Sequence, residues 1–479
     1  MRLSNLSGAA QARDPEIVGL TADSREVRPG FLFAALAGET FDGAEFIPAA
    51  EKAGAAAVLA RPGVASSLPL IADPEPRRRL AQMTARFYPR QPEIVAGVTG
   101  TNGKTSVARF TAQIWRRLGK NAGSLGTLGA SAPGFERKLV HTTPEPVTLH
   151  ETLDEMAAAG VTHLAMEVSS HGLAQHRADG VRFRASAYTN ITQDHLDYHA
   201  DFEDYMKAKL RLFTELLPAD GVAVVNADGE GAEDVIEAAR ARKLDVMTVG
   251  AAGRDICLAG ATPHPGGLEI RLETGAGAEH VMTLPLIGAF QAENALVAAG
   301  LAIASGEAPD AVLPLLESLQ SVPGRMERAA EAGGGAVYVD YAHTPDAIAT
   351  ALQAIRPHVS GKLIVIVGAG GDRDKTKRAA MGAAATTADA VIVTDDNPRS
   401  EDPAEIRRQV LAGCPDAFEI GDRREAIARG IGMLSPGDVL LVAGKGHETG
   451  QIVGGVTSPF DDAEIARAEA AKRKEDNGR

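Results

Sequence analysis

The run Gly97-Val98-Thr99-Gly100-Thr101-Asn102-Gly103-Lys104-Thr105-Ser106 decides how this chain is read. An apolar string, residues 94–98, enters it, and a helix-patterned stretch, residues 107–118, leaves it. A Gly-rich turn between a strand and a helix lets backbone N–H groups turn inward around a phosphate. Lys104 adds a point charge, Thr105 a hydroxyl for Mg²⁺, and the helix N-terminus its dipole. The usual spelling places glycine five positions before Gly103, where this chain has Val98, so the loop is a variant of the phosphate-binding pattern. A Gly-rich turn with no ligand is the plain alternative. Gly-Lys-Thr at a strand-to-helix junction favours the phosphate.

Working outward, the 479 residues suggest about three domains, at ~100–200 residues each. With 49 basic and 63 acidic residues the net charge is −14, which argues against a nucleic-acid or anionic-membrane partner. Aromatics at 4% leave little for base-stacking platforms. Cys257 and Cys414 stand far apart in no CxxC pattern, so neither a disulfide framework nor a zinc site follows. There is no signal-like start and no apolar run of ~18 residues, so a cytoplasmic enzyme is expected.

Alternating strand-like and helix-like runs fill residues 1–90, with short apolar strings at 31–36, 56–60 and 68–71. The turn cluster Tyr88-Pro89-Arg90-Gln91-Pro92 marks a boundary. Beyond it, strands are expected at 94–98, 163–167, 185–189 and 222–226, with helices between them. That rhythm argues for a parallel sheet covered on both faces. The Gly-rich segment 255–286 alternates and suits antiparallel strands. A second turn cluster, Ser321 to Arg325, precedes a new βα series with strands at 336–339, 363–367, 390–394 and 439–443. The expected fold class is therefore α/β in three domains, residues 1–90, 91–324 and 325–479. The first is a small α/β unit, the second a phosphate-loop parallel-sheet unit, and the third Rossmann-like.

In open parallel sheets, ligands sit at the carboxyl ends of strands. Polar strings cluster there. Glu167 ends an apolar strand, where a carboxylate is costly unless it meets a cation. Thr189 to His199 is dense in His and Asp, with His195 a candidate metal ligand or simply part of a polar helix start. Lys207 and Lys209 lie on the following helix and read as surface lysines. Further strings begin at Asp340, Gly368, Asp395 and Gly444. Arg373, Arg399, Lys445 and Glu448 among them suit a ligand bearing carboxylates and an ammonium.

These strings, taken in order, resemble the Mur ligase family over nearly the whole chain. The motifs that carry the resemblance are Asp23-Ser24-Arg25, Gly100 to Thr105, His141-Thr142-Thr143-Pro144, Glu167-Val168-Ser169-Ser170-His171 and Asp194-His195-Leu196-Asp197. They continue with Asn294-Ala295, Gly324-Arg325, Asp340 to Pro345, Gly371 to Asp374, Asp396-Asn397-Pro398-Arg399 and Gly444 to Glu448. The resemblance implies an ATP- and Mg²⁺-dependent amide ligase. It would add meso-2,6-diaminopimelate to the D-glutamate side chain of UDP-N-acetylmuramoyl-L-Ala-D-Glu through an acyl phosphate. It implies a cytoplasmic monomer of peptidoglycan precursor synthesis, with UDP-substrate, ATP and amino-acid sites on the three domains in turn.

The resemblance also implies residue roles. Ser24, Glu39, Thr40 and Phe41 would contact the UDP portion, and Thr142, Thr143, Ser169, Gln175 and Arg177 the muramoyl dipeptide. Gly100, Thr101, Asn102, Gly103, Lys104, Thr105, Ser106, Asn294, Arg325 and Asp340 would bind ATP. Lys104, Glu167, His195 and Lys209 would be catalytic. Thr105, Glu167, His195 and Lys209, the last carbamylated by CO₂, would hold metal. Arg373, Asp396, Asn397, Pro398, Arg399, Gly444 and Glu448 would take diaminopimelate. His141 stands where the family often has Asn, and no contact is carried over to it. The alternatives are a lysine-adding ligase of the same family and a phosphate-loop hydrolase or switch. The hydrolase leaves the strings at 396–399 and 444–448 without work. A folyl-polyglutamate type fits poorly with Asp23-Ser24-Arg25.

Overall fold

The computed structural model describes residues 1–38, 41–192 and 198–477. The chain forms two compact units, Met1–Cys257 with Leu296–Leu313, and Leu258–Ala295 with Pro314–Arg479.

The first unit begins with four short parallel strands, Gly19–Thr21, Phe31–Ala34, Ala57–Ala60 and Leu70–Ala72, paired in chain order. The helix Pro76–Phe87 closes one face, burying Leu80 and Met83 with Leu3, Leu6, Leu20 and Leu32. The larger sheet follows. Its parallel core runs Asp245–Gly250, Val222–Asn226, Phe183–Tyr188, Ile94–Thr99, His163–Glu167 and Ala122–Gly126. Gly129–Ala132 and Phe135–Arg137 add an antiparallel edge. Residues 95–99 are all buried, as expected for a strand covered on both faces. Its neighbours are His163–Glu167 and Phe183–Tyr188. Three polar strings therefore emerge side by side at one sheet edge.

The second unit carries a six-stranded sheet ordered Glu327–Ala332, Gly335–Asp340, Val439–Ala443, Leu363–Val367, Ala390–Val393 and Phe418–Glu419. The first pair is antiparallel and the rest parallel. Alternate residues of Leu363–Val367 feed two cores. Leu363, Val365 and Val367 pack with Ile348, Leu352 and Met381, while Ile364 and Ile366 pack with Ala426, Ile427 and Ile431. Gly267–Thr274 and Glu279–Leu284 pair antiparallel, in keeping with the alternating pattern of 255–286.

The helix Pro146–Ala158 buries His150 completely. Its Nε2 lies 3.0 Å from Asp179 O, so the neutral tautomer donates there. Burial pushes the imidazole down from 6.5 to about 4. The unfolded chain takes up a proton near pH 6.5 that the folded chain refuses until about 4, so stability falls with pH through that window. The shift corresponds to about 3 kcal/mol. We expect His150→Gln to lose about that much less unfolding free energy than wild type between pH 6.5 and 4 in urea titrations. Equal losses in the two proteins would refute the assignment.

Candidate functional site

The phosphate-type loop is held from the neighbouring strand end. Thr101 N donates to Asn190 O at 2.8 Å, Asn102 N to Asn190 Oδ1 at 3.0 Å, and Thr189 Oγ1 to Asn102 O at 2.6 Å. Thr101 Oγ1 pairs with the Tyr205 hydroxyl at 2.9 Å. The helix begins at Lys104, three residues earlier than its apolar pattern indicates, with Gly103 in the left-handed region at φ 86°. Lys104 Nζ donates to Gly100 O at 2.9 Å and Thr101 O at 2.8 Å. Thr105 and Ser106 are buried behind it.

Glu167 is buried at the adjacent strand end and is met by donors. Thr105 Oγ1 donates to its Oε2 at 2.9 Å, and Thr127 N to its Oε1 at 2.8 Å. Lys209 departs from the surface reading. It is 1% exposed, donates to Gly100 O at 2.8 Å, and stands 4.3 Å from the Tyr205 ring centroid. A lysine on a charged helix reads as solvated because sequence alone does not show which face turns inward. His195, with the rest of 193–197, lies outside the described residues, as do Glu39 and Thr40. Among the described residues no three His, Cys, Asp or Glu side chains gather as a metal cluster. Thr105 and Glu167 do fit a hard cation: a hydroxyl and a buried carboxylate stand together beside a phosphate-type loop.

The residues assigned to the muramoyl dipeptide form one network. Arg177 Nη1 donates to Thr143 O at 2.9 Å, its Nε and Nη2 to Gln175 Oε1, and it pairs with Glu145 at 2.7 Å. Gln175 Nε2 donates to the Tyr198 hydroxyl at 3.0 Å. Ser169 caps the helix Ser170–Ala174 through Gly172 N. The Thr143 side chain is fully buried, donates to Glu167 O and accepts from Ser169 N. Thr142 is half-buried beside it and His141 is exposed. In the N-terminal part Ser24 is half-buried next to Asp23, whose carboxylate chelates Arg25. Hydrogen bonds from Arg25 hold Asp23 below the usual carboxylate range. Phe41 is 67% exposed, edge-on to Phe46.

In the second unit Arg325 stacks 4.9 Å from the Tyr341 ring centroid, with the His447 ring on the same tyrosine. Asp340 accepts Met326 N at 2.7 Å and Ala342 N at 2.9 Å, so both oxygens already hold the loops around it. Burial pushes its carboxyl up. Asn294, buried on the helix Ala289–Ala304, donates to Gln291.

The strings at 396–399 and 444–448 meet. Asn397 Nδ2 donates to Glu448 Oε2 at 2.8 Å, and Asn397 Oδ1 accepts from Ile452 N at 2.9 Å. Lys445, grouped in the sequence with ligand-facing cations, is instead fully buried. It donates to Glu448 at 2.9 Å, Gly450 O at 2.6 Å and Asn397 Oδ1 at 3.2 Å. Burial opposes ionisation of Glu448, yet Lys445 and Asn397 hold it below its ordinary value. Arg399 Nη1 donates to Gly371 O at 2.7 Å, and Arg373 is exposed nearby in sequence. Pro398 O reaches within 1.8 Å of where a Gly371 Cβ would stand, so only glycine admits this approach. Beneath the site, Arg423 and Asp462 form a fully buried ion pair at 2.6 Å, and Arg423 also donates to Ala443 O, just before Gly444. Sequence reading missed Thr127, Asn190, Tyr205, Arg423 and Asp462. Asn190 and Thr189 lay in a flagged string, but nothing in the sequence pairs Arg423 with Asp462.

The chain is a member of the Mur ligase family. The family's models match in three segments: its catalytic domain at residues 16–88, its middle domain at 98–302 and its glutamate ligase domain at 324–446. Among similar proteins, one from Bradyrhizobium diazoefficiens is 50% identical, covering 99% of this chain and 100% of its own. One from Caulobacter vibrioides is 52% identical, covering 96% and 97%. Both are named UDP-N-acetylmuramoyl-L-alanyl-D-glutamate--2,6-diaminopimelate ligase. A solved structure of a protein with that name is 31% identical, with TM-score 0.77 over 99% of each chain. The Thermotoga maritima MurF ligase, solved with ADP, shares the fold at 19% identity and TM-score 0.60, over 96% of this chain and 98% of its own. The three-domain α/β fold is thus that of the family.

Proposed function

We propose that this chain joins meso-2,6-diaminopimelate to the D-glutamyl side-chain carboxylate of UDP-N-acetylmuramoyl-L-Ala-D-Glu, using ATP, in peptidoglycan precursor synthesis. The observation that carries the reading is the Arg399, Asn397 and Glu448 constellation. A guanidinium and a carboxylate held on two meeting loops suit a ligand with a carboxylate and an ammonium at one end. The test is mass detection of product from the nucleotide-sugar dipeptide, ATP and a panel of diamino acids. Diaminopimelate should give product and lysine little. ATP turnover without either co-substrate would favour the hydrolase reading.

The loop 100–106 holds the nucleotide phosphates through Lys104 and the backbone N–H groups that open the helix, Thr101 N and Asn102 N being bound to Asn190 instead, with Asn294 and Arg325 toward the adenine and phosphate side. Asp340, whose oxygens accept from two backbone amides, is the residue assigned to the ribose. The γ-phosphoryl group passes to the D-glutamyl carboxylate, giving an acyl phosphate and ADP. The diaminopimelate amine then attacks the acyl carbon, phosphate leaves, and the amine's proton goes to solvent or a neighbouring base. Positioning and charge neutralisation carry the rate, and no protein nucleophile is needed. Mg²⁺, when held by Thr105 and Glu167, would neutralise phosphate charge, with His195 assigned to the same task. Ser24, Glu39, Thr40, Phe41, Thr142, Thr143, Ser169, Gln175 and Arg177 serve the UDP-muramoyl dipeptide. Arg373, Asp396, Pro398 and Gly444 complete the amino-acid site. Among the described residues no helix is long and apolar enough to cross a membrane. A cytoplasmic monomer acting on soluble precursors fits this reading, and so do domains at 1–90, 91–324 and 325–479.

Lys209 is the residue we assign to carbamylation. Its ammonium would give up one proton, and the free amine would add CO₂ and release a second, leaving a carbamate beside the loop. Carbon NMR with isotopically labelled bicarbonate should show one carbamate resonance in wild type and none in Lys209→Ala. A resonance that persists in the variant would move the modification elsewhere, Lys207 being the near neighbour.

A further inference from the structure

The Glu167 carboxylate is tied to Thr142 through a residue that none of the family motifs includes. The turn after Ala122–Gly126 brings Thr127 against Glu167. Gly126 makes the approach possible: a Cβ there would stand 2.0 Å from Glu167 Oε1. Thr127 spends its backbone N–H on Oε1 at 2.8 Å and sets its hydroxyl 3.2 Å from Oε2. The same hydroxyl lies 2.9 Å from the Thr142 hydroxyl.

The proton order follows from the donor inventory. An ionised carboxylate only accepts, and a threonine hydroxyl has a single proton. Thr127 therefore donates to Glu167, so the Thr142 hydroxyl must donate to Thr127. Thr142 has then used its proton and has only lone pairs left to offer.

We propose that Thr127 is a positioning residue: anchored on Glu167, it fixes the Thr142 hydroxyl as a hydrogen-bond acceptor for an N–H of the substrate's peptide portion. The inference rests on the reading that Thr142 faces the muramoyl dipeptide. It extends that reading by naming the polarity of the contact and the residue that sets it. Without the Thr127 hydroxyl, Thr142 rotates freely and loses its preference for an N–H donor. The loss of one neutral hydrogen-bond arrangement weakens binding by about three- to tenfold.

The test is calorimetric binding of UDP-N-acetylmuramoyl-L-Ala-D-Glu without nucleotide or metal. The proteins compared are wild type, Thr127→Val, Thr127→Ser, Thr142→Val and the double valine variant. Thr127→Val keeps the side-chain shape and the backbone N–H to Glu167. It should weaken binding by about three- to tenfold, and Thr127→Ser should restore it to within about twofold. The double variant should bind no worse than Thr142→Val alone, because both changes break one relay. Affinity for a non-hydrolysable ATP analogue should stay within about twofold, which a general loss of structure would not spare. Unchanged substrate binding in Thr127→Val, or additive losses in the double variant, would overturn the inference. Absence of binding in wild type would instead overturn the substrate reading beneath it. Should Thr127→Val not fold, Thr127→Ala takes its place in the same cycle.

Discussion

Lys104→Ala is expected to lower amide synthesis by about a thousandfold or more while leaving the fold intact. Removing one preorganised donor from a developing anion typically costs about 10²–10³ in rate, and a full charge on a transferring phosphoryl group costs at least as much. The lysine reaches back over its own loop to Gly100 O and Thr101 O, so its ammonium already stands where loop-bound phosphates would concentrate negative charge. It contributes no apolar surface to the core of the helix Lys104–Arg117, where Val107, Phe110, Ile114 and Trp115 are buried. Its loop contacts are worth about 0.5–1.5 kcal/mol each, too little to unfold a domain. Initial rates with saturating substrates, together with thermal unfolding, decide the matter. Near-normal synthesis in the variant would displace the phosphate site from residues 100–105. A collapse of the melting transition would make Lys104 structural.

The parallel-sheet core was legible because buried strands write themselves as unbroken apolar strings. The expected strand at 163–167 is the observed His163–Glu167, and 363–367 is Leu363–Val367. The less legible elements are those whose side chains are small or polar. Ala122–Gly126 is Ala-Gly-Ser-Leu-Gly, with no β-branched residue to announce a strand, and the close approach of Glu167 dictates its glycine. The hairpin Gly450–Val453 with Val456–Pro459 is half exposed and short, yet it supplies the backbone that pins Arg399. Motif order indicated which polar strings belong to one chemistry. It did not separate side chains that face a ligand from those spent inside. Lys445 stands inside a motif and is fully buried, bonded to neighbouring site residues. Lys209 reads as a surface residue and is buried against the loop. Inward or outward orientation is a tertiary property that residue type and spacing do not carry.

Arg399 should determine the choice of amino acid. Its backbone sits in the left-handed region at φ 53°, a conformation that is costly for a non-glycine residue. Two backbone bonds to the hairpin hold it there: Arg399 N to Ile452 O at 3.0 Å and Gly454 N to Arg399 O at 2.7 Å. Backbone strain held in place this way clusters at ligand-binding sites. Nη1 is anchored on Gly371 O, which leaves the Nε and Nη2 edge of the fork to meet a carboxylate side-on. Meso-diaminopimelate carries that second carboxylate and lysine does not. Lysine would leave a partly buried guanidinium unpaired, at a cost of about 2–5 kcal/mol. At about 1.4 kcal/mol per decade, this means a preference of about one to three orders of magnitude in kcat/KM. Arg399→Ala should lose most of the diaminopimelate activity and most of the preference, with ATP affinity nearly unchanged. Arg399→Lys should not restore it, because an ammonium cannot offer a planar fork. Arg399→Gly serves as the backbone control, since glycine accepts φ 53° without strain, and it should behave as alanine does. Steady-state kinetics with both amino acids on the four proteins measure the effect. If wild type used lysine as efficiently as diaminopimelate, or if Arg399→Ala and Arg399→Gly kept the preference, the second carboxylate would have to be read by another residue, with Arg373 the next cation in the same loops.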